Sequence, residues 1–375
     1  MIQRIAAFFR SFRIELTEFS GTSALTDEPV TIVGFVRDKT GFFLMGQLFK
    51  PGYRSRPVGT SLIWQVPRAA RQLSPDATLL ILEVGKENRK LPLFGTDYLR
   101  IPNWVRGEIQ LPLDRTITRK KDYKEQVRKI RKAGFRVEVA AYREQFALFY
   151  DEMYLPQVSI SHGDSVSVYA RESIVDKHDR LELLLIMLDD EAVAGELISY
   201  REEVPELHAV GVRNRDPDLI RRGALSACYH FGLQHLEERG FQRVSVGGSR
   251  SLLNDGVLQY KRKWGQRVTY PYDAYLLTRV LDATPATRNL LKKLPVICAA
   301  GDQLISLVFA EEAELNALAD DPGFITYHHY PGTAGLYGVI LSDTVALQSN
   351  PLARPAGLRK LAAAQSPPGD RQNVD

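Results

Sequence analysis

A chain of 375 residues exceeds the usual single domain, so two lobes of similar size or one elaborated α/β unit are expected. Its 44% hydrophobic and 25% charged residues are those of an ordinary globular protein, and a net charge of +4 is too small to argue for DNA binding. No stretch approaches the roughly 18–20 uninterrupted apolar residues of a membrane span. The two cysteines, Cys228 and Cys298, fit neither a disulfide framework nor a zinc site, which predicts reduced, buried thiols, no metal and a cytoplasmic protein. The N-terminus has no small-residue cleavage site, so no signal peptide is expected.

In chain order, residues 1–14 place Ile2, Ile5, Ala6, Phe9 and Phe12 on one helical face with Arg4, Arg10 and Arg13 nearby, which predicts a helix packed on its own domain or, second, a weak interfacial helix. Thr31–Val36, Gly41–Gln47 and Leu79–Val84 read as strands, Pro67–Leu73 as a short helix and Gly107–Leu113 as strand-like. No phosphate loop or Gly-rich dinucleotide pattern follows any of them. Asp114–Arg136 is strongly basic. Tyr123, Val127 and Ile130 give it a helical stripe, and Gly134 is placed as its stop. Such a run is a solvated helical face or a surface that meets anions. Phe135–Val139 then alternates like a strand, and Arg143–Leu155 reads as a helix.

From Leu181 the pattern is orderly. Leu181–Leu188 is a nearly continuous apolar strand, Asp189-Asp190-Glu191 a tight turn, and Ala192–Tyr200 the hairpin partner. Leu207–Val212 supplies a third strand and Asp218–Arg239 a helix stopped by Gly240. Phe241–Val246 is a strand, Gly247-Gly248 a turn, Asn254–Trp264 a helix and Gln266–Val280 a long β-rich segment. This order predicts a mixed sheet flanked by helices, an α+β arrangement rather than a doubly wound fold. Beyond Leu281 a small α/β appendage is expected, and from Ala364 a disordered tail. The expected domains are 1–113, an N-terminal α/β lobe; 114–282; 283–363, the appendage; and 364–375, the tail.

The strand order from Leu181 to Val280 resembles the core of the acyl-CoA N-acyltransferase (GNAT) superfamily. Val246-Gly-Gly-Ser-Arg-Ser-Leu-Leu-Asn-Asp-Gly-Val-Leu-Gln-Tyr-Lys-Arg-Lys-Trp-Gly is similar to a signature of its FemAB-like branch, where a Gly-rich turn leads to a helix bearing a lysine and a terminal Trp-Gly. Tyr123–Val139 and Phe149–Tyr154 resemble the segments that open that family's second lobe. The resemblance covers roughly residues 115–280 and implies a GNAT-like acyltransferase domain at 114–282. FemAB enzymes carry two such lobes, which leaves 1–113 as a degenerate half or an unrelated lobe. The family's pyrophosphate loop, Gln/Arg-x-x-Gly-x-Gly/Ala, is only partly present in Ile220–Leu225.

The resemblance implies an acyl-CoA donor, acetyl or longer, and direct attack by an amine or hydroxyl of a small molecule or cell-envelope precursor. The donor site falls on the third strand and the helix that follows it: Val210, Val212, Arg213, Arg221, Arg222, Gly223 and Ala224. A helix N-terminus with free amides is suited to phosphates. A proton acceptor is also needed. His162 and Asp164, in the polar Ser161-His-Gly-Asp loop, and Glu196, in the hairpin strand and suited to face a central cleft, are the catalytic candidates, with His208 in the third strand and Asp255 near the turn as further ones. Arg250, Asn254, Tyr260 and Lys261 around the signature are candidate substrate contacts. Lys261 and Lys263, two apart, cannot share a helical face, and Trp264 reads as core. An aminoacyl-tRNA donor is the alternative, which the basic stretch would suit. A non-catalytic binding protein that kept the fold is a third reading.

Overall fold

The computed structural model describes residues 12–36, 39–85, 97–162, 168–176, 181–200, 203–269, 274–342, 347–348, 352 and 358–363, without the side chains of 39–43 and 160–162. Residues 1–11 and the tail from Ala364 lie outside this set, so the expectations for them are not addressed. The chain begins with β1 (Arg13–Thr22), β2 (Pro29–Phe35), α1 (Lys39–Leu48), β3 (Arg54–Leu62), α2 (Val66–Leu73), β4 (Leu79–Val84), β5 (Leu99–Pro102) and β6 (Trp104–Gln110). The strand expected at Gly41–Gln47 is instead part of α1. Met45, Leu48 and Phe49 are buried while Gly46 and Gln47 are exposed, the spacing of a helix face.

Next come α3 (Arg115–Thr118), α4 (Lys121–Ala133), β7 (Arg136–Val139), α5 (Arg143–Leu148), a π-helical turn at Phe149–Tyr154, α6 (Leu155–His162) and α7 (Arg171–Val175). Gly134 ends α4 in the left-handed region at φ 78°, a conformation that glycine adopts without strain. The helix expected to stop near Leu155 continues, so His162 stands at a helix end and not in a loop.

Then follow β8 (Leu181–Leu188), β9 (Glu191–Ser199), β10 (Glu206–Val212), α8 (Pro217–Arg222), α9 (Ala224–Glu238), β11 (Arg243–Arg250), α10 (Gly256–Lys263) and β12 (Arg267–Thr269). Positive φ at both Asp189 and Asp190 makes the expected tight turn between β8 and β9. The single helix expected over Asp218–Arg239 is broken at Gly223, whose φ of 103° cannot continue a right-handed helix. Gly247-Gly248, expected as a turn, lies within β11. The chain closes with β13 (Tyr275–Val280), α11 (Pro285–Lys292), β14 (Val296–Ala300), β15 (Gln303–Ala310), α12 (Glu312–Ala319), α13 (Pro322–His328), β16 (Gly335–Ile340) and β17 (Leu358–Ala363).

Two compact units divide the chain: residues 1–105, 250–258 and 269–367 form the first, and 106–249, 259–268 and 368–375 the second. The first holds a sheet of order β3-β1-β2-β4-β13-β5 and a four-stranded sheet β14-β15-β16-β17; the second holds β12-β6-β11-β10-β9-β8-β7. Strand membership is exchanged between the units. After β5 the chain contributes β6 to the second unit's sheet, and after β12 it contributes β13 to the first. The β-rich segment read as continuous over Gln266–Val280 is therefore two strands in two sheets. The expected appendage shares the first unit's core: Phe19, Ile32, Leu79 and Leu276 form one apolar cluster with Leu290, Cys298, Leu307 and Val339.

Antiparallel β7-β8-β9-β10, then helices, a parallel β11, a helix and β12 give the second unit a GNAT-like α+β fold. Its two faces are packed differently. Ala194, Ile198, Val212 and Leu184 meet α9 and α4, while Leu183, Leu185 and Leu197 meet Phe146, Phe149 and Met153.

In the first unit Glu18 is buried, and its carboxylate accepts from Arg56 at 2.7 and 3.0 Å and from the Ser74 hydroxyl at 2.6 Å. The Arg56 hydrogen bond holds its pKa below the usual value against the opposing effect of burial. The contribution of this group is present above the unfolded pKa and is lost as pH falls through the lowered folded value. Arg56 itself is largely exposed. Arg56→Ala is expected to lower stability at neutral pH, because the carboxylate keeps only its serine partner. A urea midpoint unchanged by the substitution would contradict this.

Candidate functional site

The second unit's sheet opens in its middle. Parallel β10 and β11 are joined at one residue pair, Glu206↔Ser245, with Ser245 N–H donating to Pro205 at 2.8 Å. Past that point the strands part. A bulge interrupts the β9–β10 register between Leu207 and Ala209, at His208, and a bulge bends the strand that carries it. The inner edge of β10 from Ala209 to Val212 is left without a β11 partner. The corresponding parallel pair in the first unit, β2 and β4, stays joined over Ile32↔Leu79, Val33↔Leu80, Gly34↔Ile81 and Phe35↔Leu82. A side chain at Gly34 would meet the Ile81 carbonyl oxygen at 2.4 Å, so that sheet is closed.

Opposite the opening, Gly195 and Gly211 are register partners on β9 and β10. A Cβ at Gly211 would lie 2.3 Å from the Met153 carbonyl carbon, and one at Gly195 2.6 Å from the Phe149 ring. The π-helical turn thus sits directly on two bare strand positions. Such turns recur near functional sites.

On the α9 face, Glu196 pairs with Val210 in register and is 1% exposed, with no hydrogen-bond partner for Oε2. Gly232 of α9 lets the helix close over it; a Cβ there would lie 3.6 Å from Glu196 Cγ. Burial raises the Glu196 pKa well above the ordinary value, and the charge of Lys261 opposes the shift. Lys261 is 7% exposed, and its ammonium donates to the Gly248 carbonyl at 2.8 Å. Lys263 is exposed, so the two lysines do face differently. Nearby, the Ser226 hydroxyl donates to Gln126 Oε1 at 2.8 Å and lies 3.3 Å from the Tyr260 hydroxyl. Burial pushes the Tyr260 phenol and the Cys228 thiol upward. Trp264 is core, stacked near Tyr229 and edge-on to Tyr123.

The arginines expected at phosphates have protein partners. Arg213 binds Glu152 at 2.8 Å and Glu191 at 3.5 Å, Arg221 binds Asp218 at 2.6 Å, and Arg222 donates to the Ala133 carbonyl at 3.3 Å. Asp216 accepts from the first amides of α8, so that helix start is capped. The N-terminus of α9 begins at Gly223 and Ala224, with Lys129 alongside. Val212 is fully buried and Val210 half-buried. Arg250 and Asn254 belong to the first unit, and Tyr260 and Lys261 to the second. Arg250 lies over the Trp104 ring at 5.0 Å, and burial lowers its guanidinium to about 10. Asn254 donates to the Lys293 carbonyl, and Asp255 caps α10 by accepting from Leu258. The His162 side chain and all of Asp164 lie outside the described residues.

A second cluster lies on the bulge; the sequence offered His208 as a proton-acceptor candidate but not its partners Glu206 and Tyr169. Glu206 Oε1 is 3.3 Å from His208 Nδ1, and Ser245 donates to Oε2 at 3.4 Å. The His208 hydrogen bond, with the nearby Arg106 charge, holds the Glu206 pKa down against burial. The Tyr169 ring stacks on His208 at 4.3 Å and 23°. Its backbone is clamped by two tyrosines: Tyr169 N–H donates to Tyr154, and the Tyr150 hydroxyl donates to the Tyr169 carbonyl. Nothing in the local sequence around Tyr169 marks it, because its partners are distant in the chain. The Glu206-x-His208 spacing was visible, but the opening beside it was not.

No group of metal-ligating side chains occurs among the described residues, and no described helix is long and apolar enough to cross a membrane. No protein-family model and no curated protein matches the chain. Similar solved structures include FemX (12% identity, covering 66% of this chain and 80% of that one, TM-score 0.36). L-PGS from Bacillus licheniformis is 14% identical, with coverage of 65% and 83% and a TM-score of 0.33. A GCN5-related N-acetyltransferase from Sphaerobacter thermophilus is 14% identical, with coverage of 71% and 77% and a TM-score of 0.29. Likeness at these scores carries no inference about chemistry, and the site is read on its own geometry.

Proposed function

We propose that the second unit transfers an acyl group from an acyl-CoA, acetyl or longer, to an amine or hydroxyl of a small molecule or cell-envelope precursor. The observation that supports this is the opened edge of β10. Unpaired backbone N–H and C=O groups inside a sheet need partners, and an extended, amide-bearing donor arm supplies them as an added strand would. Phosphates of such a donor fit the first turn of α9, where free amides and the helix dipole favour anions, with Lys129 and Arg222 alongside. A β10 amide directed at the thioester carbonyl stabilises the oxyanion that forms on attack. Glu196, whose pKa burial raises, is enclosed under the opening and suits a hydrogen-bonding role there better than that of proton acceptor. Two buried thiols and a coenzyme donor fit a cytoplasmic setting.

The aminoacyl-tRNA reading has one observation in its favour. Lys121, Lys124, Arg128, Arg131 and Lys132 are all exposed on α4 and its flank, a face suited to a polyanion. Thermal-shift measurements with acetyl-CoA, longer acyl-CoAs and tRNA separate the two. The acyl-CoA reading predicts a rise in melting temperature of several degrees at donor concentrations about 100 times Kd, which corresponds to roughly 2.7 kcal/mol. Stabilisation by tRNA alone, falling steeply with salt, would favour the second reading. No shift with any of them would overturn the transferase reading and leave a binding protein.

A further inference from the structure

We propose that His208 is the general base of this transfer, oriented by Glu206; the inference rests on the transferase reading above. His208 occupies the bulge of β10 at the point where β10 and β11 part. Its Nδ1 faces Glu206 Oε1 at 3.3 Å, and Glu206 is itself fixed at the junction by its register pair and hydrogen bond with Ser245. Tyr169 covers one face of the imidazole, and Tyr150 and Tyr154 lock Tyr169 through its backbone. The ring is therefore held by a carboxylate on one side and a stacked aromatic on another. Nε2 makes no hydrogen bond among the described residues, and the side chain keeps 15% exposure. With Nδ1–H donated to Glu206, Nε2 carries the lone pair.

The other titratable groups are less suited. Glu196 is enclosed at 1% exposure under α9, and Lys261 donates to the Gly248 carbonyl. Among the described residues, His208 joins a free lone pair, an orienting carboxylate and a place at the mouth of the opening.

In the step, the acceptor nitrogen or oxygen attacks the thioester carbonyl carbon and forms the new C–N or C–O bond. His208 Nε2 takes a proton from the acceptor ahead of that attack, the only one of a hydroxyl or the first of an ammonium, whose second leaves to solvent after the C–N bond forms. The C–S bond breaks as the tetrahedral intermediate collapses, and the imidazolium returns the proton to the departing thiolate. Acyl-acceptor and free thiol are the products, and no oxidant or further reactant is needed.

The test compares two nucleophiles on the whole protein with acetyl-CoA as donor, reading release of free thiol. One is the best acceptor from a panel of primary amines, which are protonated at neutral pH. The other is hydroxylamine, which is uncharged there and has no proton to lose before it attacks. His208→Gln is expected to lower the amine-dependent rate by roughly 100-fold or more and the hydroxylamine-dependent rate by no more than about threefold. Glu206→Gln is expected to shift the same ratio in the same direction by less. The ratio of the two rates in one preparation does not depend on how much of a variant folds. An unchanged ratio, whether both rates hold or both fall together, overturns the base and leaves the ring a packing element. A wild-type protein that releases no thiol with either nucleophile overturns the transfer itself, a different outcome.

Discussion

Gly211→Ala should lower the stability of the protein by roughly 3 kcal/mol, at the upper end of what overpacking costs. The methyl group would lie 2.3 Å from the Met153 carbonyl carbon, 2.4 Å from its oxygen and 2.6 Å from Tyr154 nitrogen. All three are backbone atoms of a helical turn, and they cannot swing aside as a side-chain tip can. The strand is equally fixed, since β10 is paired to β9 along its length. Gly195→Ala meets the Phe149 ring instead, which can tilt, so a smaller loss is expected there. Gly46→Ala is the control. It lies within α1 with open space around it, and alanine there should be neutral or slightly stabilising. Urea unfolding midpoints measure all three. A Gly211→Ala midpoint equal to that of wild type would mean that the π-helical turn does not rest on β10. Because that turn carries Tyr150 and Tyr154, the substitution should also loosen Tyr169 over His208.

The second large effect concerns Glu196 and has a definite sign. Burial raises its folded pKa above the unfolded value, with Lys261 opposing. Below the unfolded pKa both states are protonated, and the group has no pH-dependent effect. As pH rises past that value, the unfolded chain releases the proton while the folded chain holds it, so stability falls until the folded pKa is reached. Each unit of difference is worth about 1.4 kcal/mol. Glu196→Gln keeps the shape and cannot ionise. The variant is expected to be more stable than wild type at neutral pH, to match it near pH 4, and to lack the decline between. Denaturation of both proteins across that range measures this. A wild-type protein whose stability rose more steeply with pH than that of the variant would show the carboxylate charged and paired with Lys261.

Much of the second unit was legible in the sequence because local signals and tertiary structure agree there. The apolar run Leu181–Leu188 is buried on both faces, the Asp189-Asp190 turn is a hairpin, and Gly134 stops α4 where its placement indicated. Trp264, read as core packing at a helix end, is buried. What was not legible depends on distant partners. Gly41–Gln47 has an apolar run too short to distinguish strand from helix, and its helical spacing emerges only through Met45, Leu48 and Phe49. Gly223 sat within a helical pattern, and only its φ shows that it divides α8 from α9. The exchange of β6 and β13 left no mark on either strand's sequence. Gln126 and Ser226 are 100 residues apart and meet through folding alone. The charge of Arg213, Arg221 and Arg222 was visible in sequence, whereas the acids and carbonyl they pair with were not.

The claim that a donor arm lies along the opened edge of β10 is tested most directly by amide hydrogen exchange with and without saturating acetyl-CoA. Slower exchange is predicted at Ala209–Val212 and in the first turn of α9, with β2 and β4 of the first unit unchanged. Protection confined to other segments, or none at β10 under conditions where acetyl-CoA raises the melting temperature, would contradict it.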